Sequence, residues 1–157
     1  TLKNNFDRPG FLSEFGVVCY DASKQKEDQN MQAFFLESQW RQIYENLYSG
    51  KKGTGNCLGG FMFEWTDEWW KNNEASPETW SIHDTGSNWS NASYYFDIKA
   101  KDNKNMNEEW FGIVSLSQEL EGGLNKRVPR KAYYVIREFW KDPTKPPVAT
   151  VSTEKAK

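Results

Sequence analysis

Short apolar runs separated by long polar stretches organise this chain, and two of those runs are too short for helices. Phe11-Leu12-Ser13-Glu14-Phe15-Gly16 follows a Pro9-Gly10 turn, and Gly59-Gly60-Phe61-Met62-Phe63-Glu64-Trp65 comes about one βα unit later. Apolar runs of this length bounded by turn residues read as strands. Between them Met31, Phe34, Phe35, Trp40, Ile43, Tyr44 and Leu47 recur at spacings of three, four and seven, which predicts an amphipathic helix from about Glu27 to Tyr48. Gly50, Gly53 and Gly55 then end the helix and lead into a strand over Cys57 to Trp65. A strand, helix, strand unit has parallel strands, and parallel strands are expected to be buried.

The rest of the chain is less periodic. Thr66 to Val128 is rich in Asn, Ser, Asp and Gly, with one short apolar run at Trp110-Phe111-Gly112-Ile113-Val114, and is expected to be a long irregular insertion. Loops of such length are usually functional. Pro129 suits the first turn of a closing helix whose apolar stripe is Ala132, Tyr133, Val135, Ile136, Phe139 and Trp140, and Asp142-Pro143 stops it. Residues 1–142 therefore read as one α/β unit, and residues 143–157 as a Pro-containing tail or linker.

Composition narrows the function classes. The 157 residues suit one domain or part of one. With 20 basic and 22 acidic side chains spread along the chain, no field of one sign suggests a nucleic-acid or anionic-membrane partner. No run approaches the roughly 18 apolar residues of a membrane span, so a soluble protein is expected. The opening Thr1-Leu2-Lys3-Asn4-Asn5 runs almost directly into a strand, as at a mature N-terminus or a fragment boundary. Cys19 and Cys57 fall near opposite ends of neighbouring parallel strands, which favours free thiols over a bridge between them. Neither has a second Cys or His at metal-ligand spacing, so no metal is expected. Asn88-Trp89-Ser90 and Asn91-Ala92-Ser93 match the glycosylation acceptor pattern and favour an extracellular or cell-envelope location.

Aromatic residues make up 16% of the chain, including 8 Trp, more than a core requires, and the Trp residues concentrate between positions 65 and 110. Trp and Tyr faces stack on the apolar face of pyranose rings at small entropic cost. The two strands present Glu14 and Trp65 at their C-terminal ends, where α/β sheets and barrels place their chemistry. Asp67, Glu68, Trp69 and Trp70 open the following loop, where they could bond sugar hydroxyls or wall a subsite. The only histidine, His83, could bind a hydroxyl or satisfy a loop hydrogen bond. Glu64 alternates with Trp65, so if Trp65 faces a sugar, Glu64 points toward the helices or into a structural ion pair. A calcium site from Asp67, Glu68 and Asp84 lacks any fixed ligand spacing, and no cofactor is expected.

In combination these segments resemble a known family. Leu12-Ser13-Glu14-Phe15-Gly16 and Gly59-Gly60-Phe61-Met62-Phe63-Glu64-Trp65-Thr66-Asp67-Glu68-Trp69-Trp70 look like the seventh and eighth strands of glycoside hydrolase clan A. Asn107-Glu108-Glu109-Trp110-Phe111-Gly112-Ile113-Val114 and Pro129-Arg130-Lys131-Ala132-Tyr133-Tyr134 resemble the end of the barrel in family two type β-glycosidases and in β-1,3-glucanosyltransferases. The resemblance implies the last βα units of a (β/α)8 TIM barrel, incomplete in this chain. It implies that Glu14 is the catalytic nucleophile and Trp65 the aromatic platform beneath the sugar, with Asp67, Glu68, Trp69 and His83 as candidate substrate contacts.

Such enzymes pair the nucleophile with a second carboxylate about 5 Å away that protonates the leaving oxygen. In clan A that acid lies in an Asn-Glu pair after the fourth strand, whereas Asn107-Glu108 follows the eighth-strand motif and cannot be it. The isolated chain is therefore expected to be inactive. One reading is a fragment of a retaining β-glycosidase or transglycosylase whose partners are an oligo- or polysaccharide and the remainder of the barrel. The other is a non-catalytic carbohydrate-binding or structural interaction module derived from such a barrel.

Overall fold

The computed structural model describes residues 4–5, 8–22, 24–48, 53–71, 75–79, 83, 85 and 107–147. Along them run β1 (Gly10–Phe15), β2 (Tyr20–Asp21), β3 (Lys26–Glu27), α1 (Gln29–Glu45), β4 (Cys57–Met62), β5 (Val114–Glu121), β6 (Leu124–Pro129) and α2 (Lys131–Lys141). The described chain is mixed α/β, with one small parallel sheet, two antiparallel pairs and two helices, and it contains no closed barrel. The candidate glycosylation sites Asn88 and Asn91, Asp84, and residues 148–157 of the tail lie outside the described residues.

The strand, helix, strand unit forms as its periodicity predicts. β1 and β4 are parallel, with Leu12 opposite Gly60 and Phe15 opposite Met62. α1 is shorter than its apolar pattern, because the Asp28 side chain accepts a hydrogen bond from the Met31 N–H at 2.9 Å and so caps the first turn. At its other end Asn46 Oδ1 accepts from the Thr54 N–H at 2.8 Å, and Gly53 passes beneath it at a φ of +65°.

Burial of this sheet differs from the expectation. Phe15 is buried against Trp40 of α1 at 5.1 Å between ring centroids, but Phe11, Leu12, Leu58 and Phe61 are exposed. α1 covers one face of the two strands. On the described residues nothing comparable covers the other, so the apolar runs that read as fully buried are buried on one side only.

Beyond β4, the segment expected to be irregular contains a regular hairpin. β5 and β6 pair antiparallel about Gly122-Gly123, both at positive φ, a turn open to glycine and closed to most side chains. Pro129 ends β6 instead of opening the helix, and Arg130 takes the N-cap position of α2. Phe63 donates its N–H to the Phe15 carbonyl at 2.7 Å, extending the parallel pairing just past β4. Next, Glu64 and Trp65 carbonyls accept from Ile113 and Val114, so residues 64–67 lie beside 113–114.

The core sits between these layers. Leu36 of α1, Ile113, and Ala132 and Ile136 of α2 are almost wholly buried in one cluster with Phe15, Val17 and Ile43. The helices meet through Trp40 against Trp140 and Tyr44 against Phe139. Gln32 is fully buried and its Nε2 donates to the carbonyls of Val17, Phe111 and Gly112 at 3.2–3.3 Å, tying α1 to the chain after β1 and to the run before β5.

Candidate functional site

At the C-terminal ends of β1 and β4 the polar side chains fall into two clusters. The first is buried and saturated. Arg130, without solvent exposure, places Nη1 2.5 Å from Asp67 Oδ1 and Nη2 2.8 Å from Asp67 Oδ2, a bidentate pair. Its Nη1 also donates to the Gly112 carbonyl at 2.6 Å, and its Nε and Nη2 reach Glu27 Oε1 at 3.2 and 2.7 Å.

Asp67 completes its shell with the Gly112 N–H at 3.0 Å and His83 Nε2 at 2.8 Å. The His83 ring stacks on Trp110 at 3.8 Å and meets the edge of buried Trp69 at 4.6 Å. Burial opposes the charge on Arg130, but Asp67 and then Glu27 outweigh it and hold the guanidinium above its usual pKa. For Glu27 burial likewise raises the pKa, and Arg130 outweighs it and leaves the carboxyl below its ordinary value. The thiol of Cys19, beside this cluster, is pushed up to about 12 mainly by burial, and both cysteines are free.

The second cluster is unsaturated. Glu64 is 9% exposed, and its Oε1 is buried without a hydrogen-bond partner among the described residues. Burial first, and then the neighbouring Glu68 carboxylate, push its pKa up to about 9. Lys71 lies 3.0 Å from Glu68 and 2.6 Å from Glu108, and its ammonium stands 4.7 Å over the Phe63 ring. Burial lowers the Lys71 pKa, but Glu108 and Glu68 outweigh that and raise it.

The sequence-predicted residues are thus distributed unequally. Asp67, Trp69 and His83 come together, around Arg130 and Trp110. Glu68 belongs to the second cluster. Trp65 is 55% exposed and turns its ring toward Tyr133 of α2 at 5.8 Å, whereas its neighbour Glu64 is buried, both lying past the end of β4. Glu14 is exposed at the end of β1, and no hydrogen bond or ion pair joins it to another described residue. Among the described residues it neither caps a helix nor pairs with an arginine.

Arg130, Glu27, Lys71 and Glu108 were not candidates from the sequence. Arg130 contacts residues 63 and 103 positions away, a separation that no local pattern announces. Among the described residues no group of three or more His, Cys, Asp or Glu side chains is arranged to hold a metal ion, and no helix is long and apolar enough to cross a membrane. A groove of about 300 Å³ between β1 and α1, lined by Leu12, Phe15, Ile43 and Asn46 among others, carries no charged group. No family model, no curated protein and no solved structure matches this chain.

Proposed function

We propose that this chain supplies the last two βα units of a (β/α)8 barrel in a retaining β-glycosidase or transglycosylase, with Glu14 as the nucleophile. The observation that carries the reading is the position of Glu14. It ends one of two adjacent parallel strands, is exposed there, and is unengaged by any described side chain, at the end of the sheet where this architecture gathers its catalytic groups. The uncovered face of β1 and β4, with Phe11 and Phe61 edge to face at 6.0 Å, supports a sheet that continues in further strands.

In this role a Glu14 carboxylate oxygen attacks the anomeric carbon as the glycosidic bond to the leaving oxygen breaks. A glycosyl ester forms, and an acid supplied by the remainder of the barrel protonates the departing oxygen. Water, or a hydroxyl of a second sugar, then displaces Glu14. The protein would act outside the cytoplasm on an oligo- or polysaccharide.

The test is Glu14→Gln in the full-length protein, paired with trapping by an activated 2-fluoro glycoside. Loss of turnover with sugar binding retained, and a glycosyl adduct on the peptide bearing Glu14 in the parent alone, are the expected results. Unchanged turnover in Glu14→Gln, or an adduct elsewhere, refutes the assignment.

A further inference from the structure

The polar group just past β4 is built differently from the Arg130–Asp67 cluster among the described residues. Arg130 and Asp67 use all their bonding capacity on each other and on their neighbours, as buried charges do when their task is to hold a fold. Glu64 does not. It is buried to nine-tenths, beside Glu68 and Lys71, yet one of its carboxyl oxygens has no partner among the described residues. Leaving a buried polar atom unpaired costs roughly 1–3 kcal/mol, so its retention calls for a partner from outside the described residues.

The surroundings restrict what that partner is. Glu68 and Lys71 are each 22% exposed and Glu108 is 26% exposed, so an incoming group meets a carboxylate and an ammonium first. The four side chains offer donors and acceptors within one small space, beside the ring of Phe63, over which only the Lys71 ammonium stands among the described cations. A metal ion is poorly served, since the Lys71 ammonium already pairs with both Glu68 and Glu108 and repels a cation. A single anion is repelled by the carboxylates. A neutral ligand with several adjacent hydroxyls satisfies all of them at once, its hydroxyls donating to the unpaired Glu64 oxygen and to Glu68 or Glu108 and accepting from Lys71.

We propose that Glu64, Glu68 and Lys71 form a hydroxyl-binding subsite of the sugar-binding face, in which Glu64 Oε1 and Glu68 accept and Lys71 donates. The inference rests on the carbohydrate reading above and deepens it. It assigns recognition of the sugar to residues on the opposite side of β4 from Trp65, and it makes Glu64 a binding residue without a step in the chemistry.

The experiment uses the full-length protein and titrates it with two probes, a β-1,3-linked and a β-1,4-linked glucose trisaccharide, by calorimetry. Glu64→Ala and Glu68→Ala are expected to weaken the better probe roughly 10- to 100-fold, the range for losing a hydrogen bond that involves a charged or buried group. Glu64→Gln keeps a carbonyl acceptor and an N–H for Glu68, and is expected to stay within about threefold of the parent. Monodeoxy versions of the probe identify the hydroxyl, because the analogue lacking it no longer distinguishes Glu64→Ala from the parent.

If Glu64→Ala does not fold, Glu68→Ala alone decides, since Glu68 is partly exposed. Binding at parental strength in Glu68→Ala, or in a folded Glu64→Ala, overturns this subsite and leaves the carbohydrate reading standing. A parent that binds neither trisaccharide overturns both.

Discussion

Glu64 makes a stability prediction that is independent of any ligand. Its pKa in the folded chain is about 9, against 4.5 for an ordinary glutamate, because burial and the Glu68 carboxylate disfavour its ionised form. A carboxyl whose folded pKa is raised contributes its full stability below the unfolded value, and that stability is lost as pH rises from about 4.5 toward about 9. Each pH unit in that window costs about 1.4 kcal/mol. By pH 7 the folded protein has therefore forgone about 3 kcal/mol, reduced to roughly 2–3 kcal/mol by solvent screening near the partly exposed Glu68 and Lys71.

Glu64→Gln removes the titration and nearly preserves the shape. Urea unfolding of the full-length parent and variant, compared from pH 4.5 to 8, should show the variant gaining on the parent by up to about 1.4 kcal/mol per pH unit. Glu68, Lys71 and Asp67 face the site in both proteins, so only their coupling to Glu64 enters the difference. A fixed offset, from imperfect packing of the amide, would not matter. A stability difference that stays flat across this range refutes the argument, since it means that Glu64 ionises in the folded state as readily as in the unfolded one.

Two other perturbations test the framework around the site. Asp67→Ala strands the fully buried Arg130 with Glu27 as its remaining carboxylate and should cost about 3–5 kcal/mol in urea unfolding; a loss under about 1 kcal/mol would show that the pair is not a structural anchor. Gly16→Ala places a methyl 1.8 Å from the Phe63 carbonyl oxygen and 2.9 Å from the Phe111 ring, so it should cost roughly 3 kcal/mol; wild-type stability would mean that β1 and the end of β4 are not packed this closely.

How much of this was legible in the sequence depends on the range of the interactions involved. The strand, helix, strand unit and the closing helix were readable, because α1 and α2 carry their apolar residues at helical spacing and β1 and β4 are short runs between turns. The β5–β6 hairpin was missed although Gly122-Gly123 announces a tight turn, because Ser115, Ser117 and a charged far strand dilute the alternation that marks a buried sheet. Pro129 was placed in a helix by its preference for first turns, when its lack of an N–H suits a strand end equally well. Burial of the strands was overestimated since apolar character reports the face a residue prefers, and the second face of this sheet is uncovered by any described residue.

The site was legible in its residue types and illegible in its pairings. Asp67 and His83 read as candidate sugar contacts because they are polar residues beside a strand end; in the fold Asp67 meets Arg130 and His83 meets Trp110, and the sequence gives no signal for a contact across that distance. This changes what the two clusters mean. Buried Asp21 and Glu37 also find partners, in Lys24 at 2.7 Å and Arg41 at 2.5 Å, so pairing is the rule for charge inside this protein. Glu64, buried with an unpaired oxygen, departs from that rule by staying protonated, and Glu14 is an exposed carboxylate near the neighbouring strand end. In the proposed enzyme, a ligand that reaches both strand ends would use the unpaired Glu64 oxygen to hold a hydroxyl and Glu14 to attack carbon.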